Sequence, residues 1–197
     1  MSGAHDHLIT ERPAIGIPWH KLMMWLVLGS DAMSFGALLA SYAMLRTGDH
    51  HWPVPSEALG INLTAVMTFI LIVSSVTMVR ALQACQKGDA ALTARWIAWT
   101  MLGGVLFLVG QAFEWTHLLG EGGMGLEVDN FSATFFCITG FHGCHVLVGV
   151  LLMGMTWWMV KRGKIGASRA HFIENVALYW HFVDLIWILV FTFVYLL

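Results

Sequence analysis

Five long apolar runs, separated by short polar segments, dominate this 197-residue chain. A helix rises about 1.5 Å per residue, so roughly 20 apolar residues cross a hydrocarbon core of about 30 Å. The pattern therefore predicts an all-α integral membrane bundle of five transmembrane helices. We expect residues 1–21 to form a polar N-terminal tail and residues 22–197 to form one transmembrane domain. The predicted spans are about 22–45, 61–84, 96–119, 131–160 and 172–197.

Composition supports a membrane protein and excludes some partners. The chain is 58% hydrophobic and only 11% charged, whereas soluble domains carry about 25% charged residues. The net charge of −2, without a dense basic patch, argues against a nucleic-acid partner. The predicted loops are too short to hold a folded catalytic domain, so any chemistry has to lie within the bundle or in a partner.

The distribution of basic residues predicts the orientation. Cytoplasmic loops are enriched in lysine and arginine, and of the ten such residues only Arg46 lies on one predicted side of the membrane. We therefore expect the N-terminus, with its tail, in the cytoplasm and the C-terminus outside. The residues of the basic side are Arg12, Lys21, Arg80, Lys87, Arg95, Lys161, Arg162, Lys164 and Arg169.

Several ionisable side chains fall inside the predicted spans, where they are costly and usually face the bundle interior. Three pairs are spaced i, i+3, so that both members share one helix face. The acids are Asp31, Glu114, Glu174 and Asp184, and the spaced pairs are Glu114 with His117, His142 with His145, and His181 with Asp184.

The residues alone leave three interpretations of these side chains. The histidines could ligate a haem or a metal, although i, i+3 pairs without a third ligand are weak metal motifs. Chains of Asp, Glu and His can also relay protons. Finally, such groups can hold helices together by hydrogen bonds.

Small residues predict close helix packing on two spans. The first span contains Gly36 with Ala40 and Ser30 with Ser34, each pair four residues apart, and the fourth contains several glycines, of which three are considered for packing. Such spacing lets a neighbouring helix approach closely. The three glycines are Gly140, Gly143 and Gly149.

One stretch on each span carries a family resemblance. In order, these are WLVLGSDAMSFGALLASYAMLR (25–46), INLTAVMTFILIVSSVTM (61–78), GQAFEWTHL (110–118), TGFHGCHVLVG (139–149) and YWHFVDLIWILVFTFVYLL (179–197). Together they make the chain resemble subunit III of the haem–copper respiratory oxidases over nearly its whole length, in a short five-helix bacterial form.

The resemblance implies an accessory subunit with no catalytic residue, metal or redox cofactor of its own. The haems and copper are expected in partner subunits I and II, and this chain is expected to pack on subunit I in a bacterial plasma membrane. It would bind phospholipid and support stable turnover and proton uptake by a proton-pumping oxidase, and the family also allows membership of a respiratory supercomplex. Asp31 stands at the family's buried, carbodiimide-reactive carboxylate. The structural or lipid-facing polar residues are expected to be Gln111, Glu114, His117, His142, His145, Glu174, His181 and Asp184, with His142 and His145 hydrogen-bonded to facing helices.

Two departures from the family keep alternatives open. Many members have seven helices and bind lipid between the first two and the other five, so here that cleft is expected to be absent or completed by another subunit. Asp31 replaces the glutamate usual in cytochrome c oxidases, which leaves a quinol oxidase as an alternative. The related accessory protein of nitric oxide reductases is a second alternative, and a stand-alone membrane haem or transport protein is a third.

Overall fold

The protein is all-helical in a computed structural model that describes residues 18–50, 52–53, 59–120, 129–166 and 169–197. Most of the predicted tail lies outside the described residues. Five helices are long and apolar enough to cross a membrane, which confirms the predicted number within the described part of the chain. They are α1 (Trp19–Gly48), α2 (Ile61–Gln86), α3 (Ala90–Gly120), α4 (Asn130–Lys161) and α5 (Ala170–Val190), and α5 continues in π-helical form over Phe191–Leu196.

The α2–α3 connection is shorter than the sequence suggested, because α3 begins at Ala90 rather than near residue 96. The Asp89 carboxylate accepts a hydrogen bond from the Leu92 amide at 2.8 Å, which satisfies one of the unpaired donors of the first turn. Gly88 has a φ of 79°, a left-handed conformation that glycine adopts without a Cβ penalty. Gly88 therefore follows the end of α2, and Asp89 caps the start of α3.

Four helices form a closed ring, and the first lies outside it. Helix α2 packs on α3 and α5, and α4 completes the ring by packing on α3 and α5. Helix α1 packs along α4 and α5. Its buried residues are only Leu28, Phe35 and Tyr42, which are seven positions apart and so form one narrow stripe.

Glycines make room for aromatic side chains at the centre of the ring. Trp180 of α5 is 1% exposed. A Cβ built on Gly104 or on Gly149 would lie 2.7 Å or 2.8 Å from its ring. A Cβ on Gly143 would lie 2.8 Å from the Gln111 side chain, and one on Gly140 would lie 3.0 Å from the Trp115 ring. The close packing predicted at Gly140, Gly143 and Gly149 of α4 is confirmed.

The small residues of α1 behave differently. Nothing in the described chain comes within 4 Å of a Cβ built on Gly36, and Ser30, Ser34 and Ala40 are exposed. Both small-residue pairs of α1 therefore lie on surfaces that the described chain leaves exposed.

Helix α1 runs parallel to α5. The Lys21 ammonium lies 2.7 Å from the Glu174 carboxylate at the start of both helices. At their other ends the Arg46 guanidinium donates to the Leu197 main-chain oxygen. The predicted basic side of the chain thus includes the end of the bundle where α1 and α5 begin. Which side of a membrane this end faces stays a prediction.

Candidate functional site

Asp31 and His145 bring α1 and α4 together near the middle of both helices. The Asp31 Oδ2 lies 3.6 Å from the His145 Nε2, and the two side chains are 23% and 15% exposed. The His145 Nδ1 is 2.7 Å from the Phe141 carbonyl oxygen. Because a carbonyl only accepts, the His145 Nδ1 donates to it, which leaves Nε2 facing the acid. At 3.6 Å the two groups approach one another without a direct hydrogen bond.

His142 does not make the expected hydrogen bond. Its side chain is fully buried, and within the described residues neither ring nitrogen has a hydrogen-bond partner. Its ring centroid lies 4.8 Å from that of Trp187 and 5.6 Å from that of Phe107. Residues three apart on a helix differ by about 60° in direction, so His142 points into the aromatic core while His145 points at α1. Within the described residues the predicted hydrogen bond to a facing helix is found for neither histidine, because His142 has no partner and His145 bonds to the Phe141 carbonyl of its own helix.

Glu114 joins three parts of the fold at the end opposite Lys21. The Thr64 hydroxyl of α2 and the Tyr195 hydroxyl of the π-helical segment each donate to the carboxylate, both at 2.9 Å. Glu114 is buried, whereas His117 is exposed. These two residues therefore do not share an environment, although their spacing had suggested that they would.

Gln111 links α3 to α4. Its side-chain amide donates to the Thr139 carbonyl oxygen at 2.6 Å, and the absence of a side chain on Gly143 leaves room for it. The acceptor is the main-chain carbonyl of Thr139. The Thr139 hydroxyl donates in turn to the Phe135 carbonyl. Gln111 therefore has a structural contact of the kind expected.

A row of hydroxyl groups on α2 binds α5, and sequence reasoning missed it. The indole N–H groups of Trp180 and Trp187 donate to Ser74 and Thr68 at 3.0 Å and 2.9 Å. The His181 Nδ1 lies 2.5 Å from the Ser75 hydroxyl, and Asp184 is also buried on α5. The signal was present in the sequence, because hydroxyl residues recur at helical spacing through the apolar run of α2.

Glu174 lies at the start of α5 and has a cation beside it. The Lys21 ammonium at 2.7 Å gives Glu174 a structural contact between α1 and α5. Both side chains are about one-third exposed, as suits an ion pair at a helix end.

No group of three or more His, Cys, Asp or Glu side chains that could hold a metal ion occurs in the ranges that the structure describes.

Comparison with known proteins identifies the family. A sequence model described as "Cytochrome c oxidase subunit III" matches residues 10–197. The chain belongs to the cytochrome c oxidase subunit III family. The resemblance seen in the five helix motifs is thereby confirmed.

The relatives that resemble this chain include subunits named for cytochrome c oxidase and one named for a ubiquinol oxidase. Cytochrome c oxidase subunit 3 of Thermostichus vulcanus is 35% identical over 177 residues, covering 89% of this chain and 85% of the relative. The corresponding subunit of Corynebacterium diphtheriae is 37% identical over 171 residues, covering 85% and 83%. Cytochrome bo(3) ubiquinol oxidase subunit 3 of Pseudomonas putida is 34% identical over 176 residues, covering 89% and 84%. The chain is therefore a subunit III of a haem–copper oxidase.

Proposed function

We propose that this chain is the accessory, non-redox subunit III of a proton-pumping terminal oxidase of the cytochrome c oxidase type. It packs on subunit I in a bacterial plasma membrane, alongside subunit II, and binds phospholipid. The haems and copper belong to those partner subunits. Its role is to sustain turnover and proton uptake by the catalytic subunit.

The exposed side of α1 is the observation that best supports an interaction role. Gly29, Gly36 and Ala40 lie on one side of the helix. Nothing in the described chain comes within 4 Å of a Cβ built on either glycine. Small residues at such spacing let another helix approach closely in a membrane. We assign this side of α1 to contact with subunit I.

Hydrogen bonds between helices support the same role. Glu114, Gln111 and His181 each have a hydrogen-bond partner on another helix. These bonds stabilise helix packing without requiring a cofactor. Asp31 and His145 add a polar approach between α1 and α4, with 3.6 Å between the Asp31 Oδ2 and the His145 Nε2.

The test compares the purified oxidase with and without this chain. Initial oxygen consumption per haem should be nearly equal in the two preparations, and the preparation lacking the chain should lose activity sooner during turnover. Loss of initial turnover, or a Soret absorption band from the isolated chain, would contradict the accessory assignment.

The contact with subunit I has its own matched test. Gly36→Phe places a large ring on the assigned side of α1, and Val27→Phe places the same ring on the opposite side, where Val27 is 50% exposed. We expect Gly36→Phe alone to lower the amount of this chain that copurifies with subunit I. Equal recovery of both variants would contradict the assigned surface.

A quinol oxidase is the second candidate. The Pseudomonas putida relative is named as a ubiquinol oxidase subunit, and its identity to this chain is close to that of the cytochrome c oxidase relatives. Oxygen consumption by the purified complex with reduced cytochrome c or with ubiquinol distinguishes the two.

A further inference from the structure

An open groove of about 460 Å³ lies between the first turns of α3 and the last turns of α4. Ala94 and Ala98 line it on α3, and Trp157 lines it on α4. Arg95 and Lys161 belong to the same lining. The groove thus combines small apolar side chains, one indole ring and two cations. Its volume is within the range of small-molecule sites, about 300–1,000 Å³.

The two cations are available to a ligand. Arg95 is exposed, and in the described part of the chain it has no carboxylate partner. The Lys161 ammonium lies 5.4 Å from the centroid of the Trp157 ring, a cation–π contact that leaves its N–H groups free to donate. Asp89, just before the first groove residue in the sequence, already accepts a hydrogen bond from the Leu92 amide.

The position of the groove in the fold indicates where it meets the bilayer. It lies at the same end of the bundle as the α2–α3 and α4–α5 connections, which carry four of the ten basic residues, Lys87, Arg162, Lys164 and Arg169. Beside it, Arg162 and Lys164 lie 4.7 Å and 5.2 Å from the Trp158 ring centroid. Tryptophans with basic residues mark the headgroup level of a membrane protein. The cations therefore lie at headgroup depth. Ala98, about one turn beyond Arg95 on α3, and Trp157, about one turn before Lys161 on α4, extend the groove from there toward the hydrocarbon.

We propose that this groove binds one anionic phospholipid, with its phosphodiester between Arg95 and Lys161 and an acyl chain along Ala98 and Trp157. Arginine pairs well with phosphate oxygens because its N–H groups form a fork, and basic pockets between membrane helices recognise anionic headgroups. A soluble anion would leave the apolar part of the groove unfilled, and an apolar helix would leave both cations unpaired. An amphiphile with a phosphate headgroup satisfies both parts.

This site specifies the lipid-binding part of the proposed function. It lies between α3 and α4, so it is distinct from a cleft formed with additional helices before α1. Binding can be measured on the full chain alone, so the result does not depend on whether the oxidase role is correct.

The experiment is native mass spectrometry of the purified full-length chain in detergent, titrated with dioleoylphosphatidylglycerol or dioleoylphosphatidylcholine. We expect one retained phosphatidylglycerol and weaker retention of phosphatidylcholine. Arg95→Gln with Lys161→Gln should weaken phosphatidylglycerol binding about thirty-fold, given the usual contribution of a basic residue to anionic-lipid binding. The control, Arg162→Gln with Lys164→Gln, removes the same charge at the same end outside the groove and should retain the lipid.

A second pair of variants tests the apolar part of the groove. Ala98→Phe fills the groove and keeps both cations, and Val109→Phe adds the same ring to an exposed position elsewhere on α3. We expect Ala98→Phe to abolish the retained lipid and Val109→Phe to leave it bound. Wild-type binding by the Arg95/Lys161 variant, or equal loss in its control, would overturn the proposal. So would unchanged binding by Ala98→Phe, or displacement of the lipid by inorganic phosphate.

Discussion

Gly149→Ala should destabilise the bundle because Trp180 occupies the space that the new methyl group needs. The added Cβ would lie 2.8 Å and 2.9 Å from two atoms of the indole ring, closer than carbon atoms approach without repulsion. Trp180 is 1% exposed. A Cβ built on Gly104 of α3 would lie 2.7 Å from another atom of the same ring. The ring has no room to move, so the backbone of α4 has to shift.

Overpacking of this kind costs about 1–3 kcal/mol. Gly154→Ala is the matched control, because it lies on the same helix and its Cβ would meet only the Met101 sulfur at 3.7 Å, an ordinary contact. Both substitutions gain the same intrinsic helix propensity, about 1 kcal/mol in soluble helices. The difference between the two variants therefore isolates the clash. We expect Gly149→Ala to have the lower free energy of unfolding by about 1–3 kcal/mol.

The assay is reversible unfolding of the purified chain in mixed micelles titrated with dodecyl sulfate and followed by circular dichroism. Trp180→Phe removes ring atoms that the new Cβ would meet, so in that background Gly149→Ala should cost much less. If Gly149→Ala is as stable as Gly154→Ala, or costs the same with Phe at position 180, the packing argument is refuted.

Further predictions concern orientation, assembly and labelling. Reporter fusions at Leu197 should be active outside the cytoplasm, and activity only in the cytoplasm would reverse the predicted topology. His181→Ala removes the partner of Ser75 and should lower the subunit III content of the purified oxidase with near-normal initial activity per haem. Full assembly with abolished turnover would instead indicate a direct proton role. Asp31 should react with a hydrophobic carbodiimide ahead of Glu57 or Glu121, and Asp31→Asn should block labelling yet leave assembly and most electron transfer intact. Loss of oxygen reduction in a fully assembled Asp31→Asn complex would contradict the accessory role.

The number and approximate limits of the helices could be predicted because each span is a local property of the sequence. A run of about 20 apolar residues crosses a bilayer wherever the other runs lie. The start of α3 was missed because Asp89 caps it, and a polar cap looks like part of a loop in a hydropathy pattern.

The partners of the polar residues could not be predicted in the same way. Helical spacing gives the direction of a side chain relative to its own helix, but not which helix lies in that direction. His142 and His145 illustrate this, because one faces an aromatic core and the other faces Asp31. Glu174 and Lys21 meet although they lie far apart in the sequence, since α1 and α5 begin at the same end of the bundle.

The narrow attachment of α1 has a consequence for the lifetime of the protein in a cell. In its most apolar 18-residue window only 11% of α1 is buried, compared with 33–50% in the other four helices. A segment with so few buried contacts opens at a lower free-energy cost than the ring does. A copy without its partner would therefore expose a loosely held helix to membrane proteases, while a partner covering that helix would protect it. The abundance of the chain would then follow the supply of its partner, and surplus copies would be removed without a dedicated regulator.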